Sequence, residues 1–310
     1  MELSEIHRFS LALPEPFDFA LTVAKPAGWH WSTPREVFEG STLWTGVHLQ
    51  DISLGLRLSA EGTTVQATVY GESPLSGDRA GLLGRRVWAA LGGDEDLAGF
   101  YRFARRDPIL SVVVEHLHGM RTGMAGDVFG DVILAILLQM APMARSMKMM
   151  DDLLERYGRR LAFDGREVVL WPKPEELAGV DPQELRRNVK IGYRAERLVA
   201  AARYLSQHPL SPEGLFSLPE EDAIRRLTEI PGVGPYSAGI ILGTLPLDVW
   251  SVVIFSELFL GRTPENPRAE IDRVTAQLTE RWGKWRWYAF VYVLQDLTYL
   301  KETYHLSRVT

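Results

Sequence analysis

The residues best placed for chemistry gather around Ile230–Pro231–Gly232–Val233–Gly234–Pro235–Tyr236–Ser237. Upstream, Pro219–Ile230 puts Ala223, Ile224, Leu227 and Ile230 on one helical face, with Glu220, Glu221 and Asp222 near its start. Pro231 and Gly232 stop that helix, Gly234 lets backbone approach a partner, and Tyr236–Leu245 restarts as an apolar helix. The predicted result is a helix start whose N–H groups, around Gly232, Val233, Gly234, Tyr236 and Ser237, face outward without bulky neighbours. That is an anion site, and for a repeated anion it suits a DNA phosphate. A plain αα-turn could carry the same Pro-Gly-x-Gly string. The apolar residues at Leu227, Ile230, Val233 and Ala238 favour the DNA reading.

Composition narrows the chemistry further. The 310 residues include no cysteine, which excludes disulfides, thiolate zinc sites and an iron–sulfur cluster. Of the seven histidines, His116 and His118 stand one residue apart in a stretch that reads as helix, so they are expected on the surface and no metal site is predicted. A formal charge of -6 argues against a protein coated in positive charge, but the distribution of charge decides DNA binding, not the sum. Among 34 basic residues only six are lysine; arginine is the better phosphate fork. No apolar run is long enough to span a bilayer and the N-terminus lacks a signal-like core, so an intracellular protein, in cytoplasm or nucleoid, is expected.

The elements that must position these residues fall into two halves. Residues 1–85 read as a β domain: Phe17–Val23 alternates, and Ser53–Leu58 and Thr63–Tyr70 favour strands between glycine turns. Trp29, Trp31 and Trp44 are expected to fill its core, and Ser73–Arg79 is a plausible boundary. Residues 86–310 read as a helical body, with helices at Gly84–Gly92, Leu97–Arg106, Phe129–Met140, Ala144–Tyr157, Pro174–Leu177, Pro182–Val189 and Arg194–Gln207. After the hairpin, at about 219–245, come Val252–Leu260, Arg268–Arg281 and Trp285–Leu300. The predicted class is α+β, an N-terminal antiparallel sheet against a helical body with a DNA-binding cleft. The methionines at 140, 143, 147, 149 and 150 read as adaptable core.

Four stretches in this order resemble the helix-hairpin-helix DNA glycosylase superfamily, in the alkyladenine and 8-oxoguanine group that carries an N-terminal β domain. They are Phe100–Pro108, Ala135–Met140 through Gly158, Ile191–Gly192–Tyr193–Arg194–Ala195, and the hairpin itself. The resemblance implies base excision from damaged double-stranded DNA by a monomer, with the nucleotide rotated into a pocket. It makes Met140 the wedge that fills the vacated place in the stack, with Gln139 beside it. Alkyl-base enzymes have an aliphatic residue there and 8-oxoguanine enzymes an asparagine, so Met140 implies indifference to the opposite base. Arg145, Tyr193 and Arg194 match opposite-strand contacts, and Lys190 is a further phosphate candidate. Tyr193 and Arg194 could equally be a packing tyrosine and a surface arginine. The last helix lines the base pocket in the family, which implicates Tyr292, Gln295 and Asp296. No cofactor is implied, with a monovalent cation at the hairpin left open.

Two catalytic positions depart from the family pattern. Bifunctional members carry a nucleophilic lysine where this chain has Tyr236, and no lysine lies between Lys190 and Lys284. A monofunctional, hydrolytic enzyme is implied. The family aspartate, in a Pro-Val-Asp-like string, falls on Val253 when matched to Trp250–Phe255. A disabling substitution, a natural damage binder, or a substitute carboxylate would each explain this. Asp248 is the nearest carboxylate, although Pro246–Leu247–Asp248 reads as a cap for the next helix or turn; Glu257 is one turn beyond Val253.

Overall fold

The structure is a computed structural model that describes residues 2–124 and 127–307. Its first sheet is built from β1 (Ser4–Ala12), β2 (Val37–Glu39), β3 (Thr42–Leu49), β4 (Ile52–Glu61) and β5 (Thr64–Gly71), all antiparallel in the order β1-β5-β4-β3-β2. The strands expected over Ser53–Leu58 and Thr63–Tyr70 are β4 and β5. The strand expected over Phe17–Val23 is instead a short helix, α1 (Phe19–Val23). Asp18 caps it, accepting a hydrogen bond from Leu21 N at 2.8 Å, and Phe19, Thr22 and Val23 turn inward at helical spacing. Helix α2 (Gly77–Ala90), capped by Ser76, lays Leu83 and Val87 on the sheet face that carries Leu43, Leu56, Leu58, Val65 and Val69.

The helical body runs through α3 (Leu97–Ala104), α4 (Pro108–His116), α5 (Val128–Leu138) and α6 (Met143–Tyr157). A two-stranded hairpin follows, β6 (Arg159–Phe163) and β7 (Arg166–Leu170), where no strands were expected. Its Leu161, Phe163, Val168 and Leu170 join Leu3 and Tyr70 to cover the other face of the first sheet, and Leu3 N donates to Ala162 O at 2.7 Å. Then come α7 (Pro174–Ala178), α8 (Pro182–Asn188), α9 (Arg194–Gln207), α10 (Pro212–Phe216), α11 (Glu220–Thr228), α12 (Pro235–Leu242), α13 (Ser251–Leu260) and α14 (Pro267–Trp282). The helix expected over Trp285–Leu300 is two, α15 (Arg286–Gln295) and α16 (Leu297–Tyr304), broken at Asp296.

Two apolar cores divide this body. One gathers α5, α6, α9, α11 and α12; the other gathers α3, α4, α13, α14 and α15. Leu227, Ile230, Val233, Ala238 and Ile241 anchor the helix-hairpin-helix in the first, and each fully buried leucine there contributes about 1.5–3 kcal/mol. Leu245 and Leu247 already belong to the second. The segment after α12 therefore crosses from one helical half to the other, and Asp248 sits on that seam.

Candidate active site and nucleic-acid interface

The hairpin between α11 and α12 closes with Val233 N donating to Ile230 O at 3.0 Å. Gly232 has φ +87, a conformation that suits glycine, and a Cβ there would come within 2.8 Å of the Arg197 Cβ. Gly234 is the N-cap of α12, and a Cβ on it would meet nothing within 4 Å. Among the described residues, the N–H groups of Gly234, Tyr236 and Ser237 find no acceptor, while Val233 N is used inside the turn and its side chain is buried. The α12 start thus leaves these amides without a protein acceptor, those of Gly234 and Tyr236 on half-buried residues and that of Ser237 on a buried one, and α12 is long enough for its dipole to add to them. The Ile230 and Gly232 carbonyls each already accept a hydrogen bond, so the turn as built offers donors to an anion more readily than oxygens to a cation. No cluster of three His, Asp or Glu side chains suited to a metal occurs among the described residues.

Beside the hairpin stands Met140. Helix α5 ends at Leu138, two residues earlier than expected, and Met140 follows in a left-handed turn with φ +50. It is 85% exposed, unlike the rest of its helix and against its reading as core. Gln139 ties this turn to the hairpin: its Nε2 donates to Gly232 O at 2.9 Å and to Ser237 Oγ at 3.1 Å, and its Oε1 accepts from Arg197. Arg194, 8% exposed, donates to Gln139 O and, at 3.5 Å, to Ile191 O. Burial pulls its guanidinium down from the usual arginine range. Gln139 and Arg194 were expected to touch DNA; the side chains of both are committed to protein and brace Met140, and the Ser237 hydroxyl, whose backbone N–H was the expected contact, takes part through Gln139. Tyr193 is the exposed member, 42%, with the Arg194 and Arg197 guanidinium groups each 4.7 Å from its ring centroid. Arg197 was missed by sequence reasoning, although its place four residues after Tyr193 on α9 puts both on one face. Arg145 and Lys190 meet on the same side, Arg145 donating to the Lys190 carbonyl. Lys190 is exposed with φ +56, and its ammonium has no partner among the described residues.

Val253 corrects the sequence reading. It is completely buried in α13, in the second core with Val252, Ile254 and Phe255. A side chain at 253 points into packed hydrocarbon and has no route to a sugar. The carboxylate on the seam is Asp248, five residues earlier. Its Oδ1 accepts from Trp250 N at 3.0 Å, Ser251 N at 2.7 Å and Ser251 Oγ at 2.7 Å, and Asp248 N donates to Ser251 Oγ at 2.8 Å. Its Oδ2 accepts nothing among the described residues. Asp248 thus caps the turn that leads into α13, one of the two roles sequence suggested, and this holds one oxygen rigid while leaving the other without a partner among the described residues. Tyr236 lies close by: burial, with the Asp248 charge adding to it, pushes its phenol well above the usual tyrosine range. Glu257 holds Ser307 N and the Thr263 and Ser307 hydroxyls.

The three residues expected in the base pocket separate. Tyr292 is fully buried, its hydroxyl 3.0 Å from Tyr101 Oη and donating to Met120 O, so it belongs to the core and not to a pocket wall. Gln295 is buried and its Oε1 accepts from Ala27 N at 2.9 Å, stitching α15 to the loop after α1. Asp296 pairs with His116 at 2.9 Å; burial raises its carboxyl and His116 opposes the shift.

No protein-family model matches the chain. It is 24% identical over 211 residues to the DNA-3-methyladenine glycosylase of Bacillus subtilis, covering 66% of this chain and 68% of that one. It is 30% identical over 181 residues to DNA-3-methyladenine glycosylase 2 of Escherichia coli, covering 56% and 60%. Along its sequence the chain is homologous to DNA glycosylases of the helix-hairpin-helix superfamily. Its fold is shared with the 3-methyladenine DNA-glycosylase of Archaeoglobus fulgidus, at a TM-score of 0.74 and 19% identity over 94% of this chain and 99% of that one. The antiparallel sheet and helical body are part of that shared fold.

Proposed function

We propose that this protein is a base-excision DNA glycosylase that hydrolyses the glycosidic bond of a damaged purine, with Asp248 as its carboxylate. The observation that carries the reading is Met140, a large apolar side chain 85% exposed on a left-handed backbone and braced through Gln139 to the unpartnered amides of the hairpin. A protein keeps such a group in water where it is to enter something else, and a base stack is apolar and adjacent to the phosphates the amides would hold. The damaged nucleotide leaves the stack as Met140 enters, and its strand rests on Gly234, Tyr236 and Ser237 N–H.

Asp248 then faces the sugar. As the bond to the base stretches, positive charge develops on the sugar ring, and a carboxylate fixed by three hydrogen bonds to Oδ1 stabilises it without reorganising. The free Oδ2 can also align the attacking water and accept its proton. Tyr236 offers no amine and its phenol stays protonated, so the chemistry ends with hydrolysis to an abasic site. The buried Arg194 and the absence of an asparagine at Met140 favour an alkylated purine recognised without reference to the opposite base. The protein acts as a monomer on double-stranded DNA inside the cell.

Duplexes carrying one 7-methylguanine, hypoxanthine or 8-oxoguanine test this. Base release from at least one alkylated or deaminated purine duplex, equal opposite any partner base, is expected. Tight lesion-selective binding with no release from any of them would replace the enzyme with a damage-binding protein.

A further inference from the structure

The chain has eight methionines and no cysteine, so thioethers are its whole supply of oxidisable sulfur. Packing keeps most of them from solvent: Met120, Met149 and Met150 are at most 1% exposed, and Met124 and Met147 are half-buried. Among the described residues the two in open contact with water are Met140, 85% exposed, and Met143, 48%. They flank Ala141 and Pro142, where α5 has ended and α6 begins. The left-handed backbone at Met140 takes it off the helical spacing that buries Ile133, Ile136 and Leu137, so no neighbouring turn of helix covers its side chain.

A hydroperoxide oxidises a thioether in one two-electron step. A sulfur lone pair attacks the terminal peroxide oxygen and the O–O bond breaks. A proton shift then expels water from hydrogen peroxide, or an alcohol from an organic peroxide; sulfur is oxidised and the peroxide reduced. Access to the sulfur sets the rate, and on that ground Met140 reacts first. The sulfoxide keeps the length of the side chain but makes its apolar middle a strong hydrogen-bond acceptor. In the free protein that group sits in water. Between stacked bases it meets no donor and must give up its water.

We infer that Met140 is a reversible oxidation site whose sulfoxide switches off base release while leaving the fold intact. A dithiol, acting through methionine sulfoxide reductases, reverses it: the sulfoxide returns to the thioether, its oxygen leaves as water, and the two thiols become a disulfide. The exposure that lets Met140 enter a base stack is the same exposure that admits the peroxide. The site stands on that exposure alone; the switch rests on the wedge role that the glycosylase reading above gives Met140.

The full chain is treated with millimolar hydrogen peroxide and quenched. Peptide mass spectrometry then reads the sulfoxide at each methionine, beside the melting temperature and single-turnover base release. Met140 is expected to react ahead of Met143 and at least about tenfold faster than Met120, Met149 or Met150. With Met140 fully oxidised, base release should fall at least about tenfold at an unchanged melting temperature. Reductases for both sulfoxide epimers, supplied with dithiothreitol, should restore it. Met140→Leu, whatever its own rate, should keep that rate through the same treatment, while Met143→Leu should lose activity as the wild type does. Oxidation of Met140 no faster than of the buried methionines would overturn the site. Base release that survives full oxidation of Met140, or an equal loss in Met140→Leu, would overturn the switch and leave the glycosylase reading standing. No base release from any damaged duplex before treatment sinks that reading instead; the site is then judged by mass spectrometry and the switch by affinity for a damaged duplex, which the sulfoxide should weaken by the same factor.

Discussion

At the scale of single residues the decisive pair is Val253 and Asp248. Pro246–Leu247–Asp248 and the string ending at Val253 are two registers of a Pro-Val-Asp match five residues apart, and both precede or enter a helix. Only the cap hydrogen bonds to Asp248 and the complete burial of Val253 separate them. Val253→Asp is accordingly expected to gain no base release. It should destabilise the protein by about 3–5 kcal/mol in chemical denaturation, because it places an unpaired carboxylate in hydrocarbon. The family resemblance singled out Met140, but its left-handed, exposed placement was not legible, since a methionine-rich run gives no sign of where its helix stops. Met140→Ala should lower single-turnover base release about tenfold while leaving the melting temperature unchanged, as an exposed side chain contributes little to the fold. A melt lowered by several degrees would mean Met140 packs as core after all.

At the scale of elements, strong periodicity was readable and short local signals were not. The helix-hairpin-helix, β4, β5 and most long helices follow their apolar spacing. Helix α1 was misread because its alternation of aromatic and polar residues competes with a cap at Asp18, and the cap wins. The β6–β7 hairpin had a signal that went unused: Asp164–Gly165 between two alternating runs, both with positive φ, is a two-residue turn. For the hairpin, Gly234→Val meets open space in the free protein, so stability should hold while affinity for damaged and undamaged duplexes falls alike. A loss confined to damaged duplexes would remove the phosphate role. In α5, the Asp131 carboxyl is raised on folding, so the stability it contributes is fully present below its unfolded value, about 4, and is lost as pH rises through about 8. Between pH 5 and 9 the wild type should therefore lose about 1–3 kcal/mol more than Asp131→Asn, allowing for water reaching the half-buried side chain. Glu36, raised to about 7 by burial, acts in both proteins and cancels in the comparison.

At the scale of the whole molecule, a net charge of -6 is compatible with duplex binding because cations meet on one side, where Arg145, Lys190 and Arg197 surround the Met140 turn. Binding should weaken with salt, and Lys190→Ala should reduce the slope of log affinity against log salt by about 0.9. An unchanged slope would place the phosphate path elsewhere. What joins the halves could not be read from sequence: Gln295 to Ala27, and the crossing of residues 243–250 between two cores, are contacts across long separations. That crossing brings a carboxylate to the hairpin. The most direct measurement is the single-turnover rate of base release from a duplex with one damaged purine, wild type against Asp248→Asn, at equal duplex occupancy. We expect the rate to fall at least about a hundredfold with binding retained. An Asp248→Asn rate within a few-fold of wild type would contradict the account.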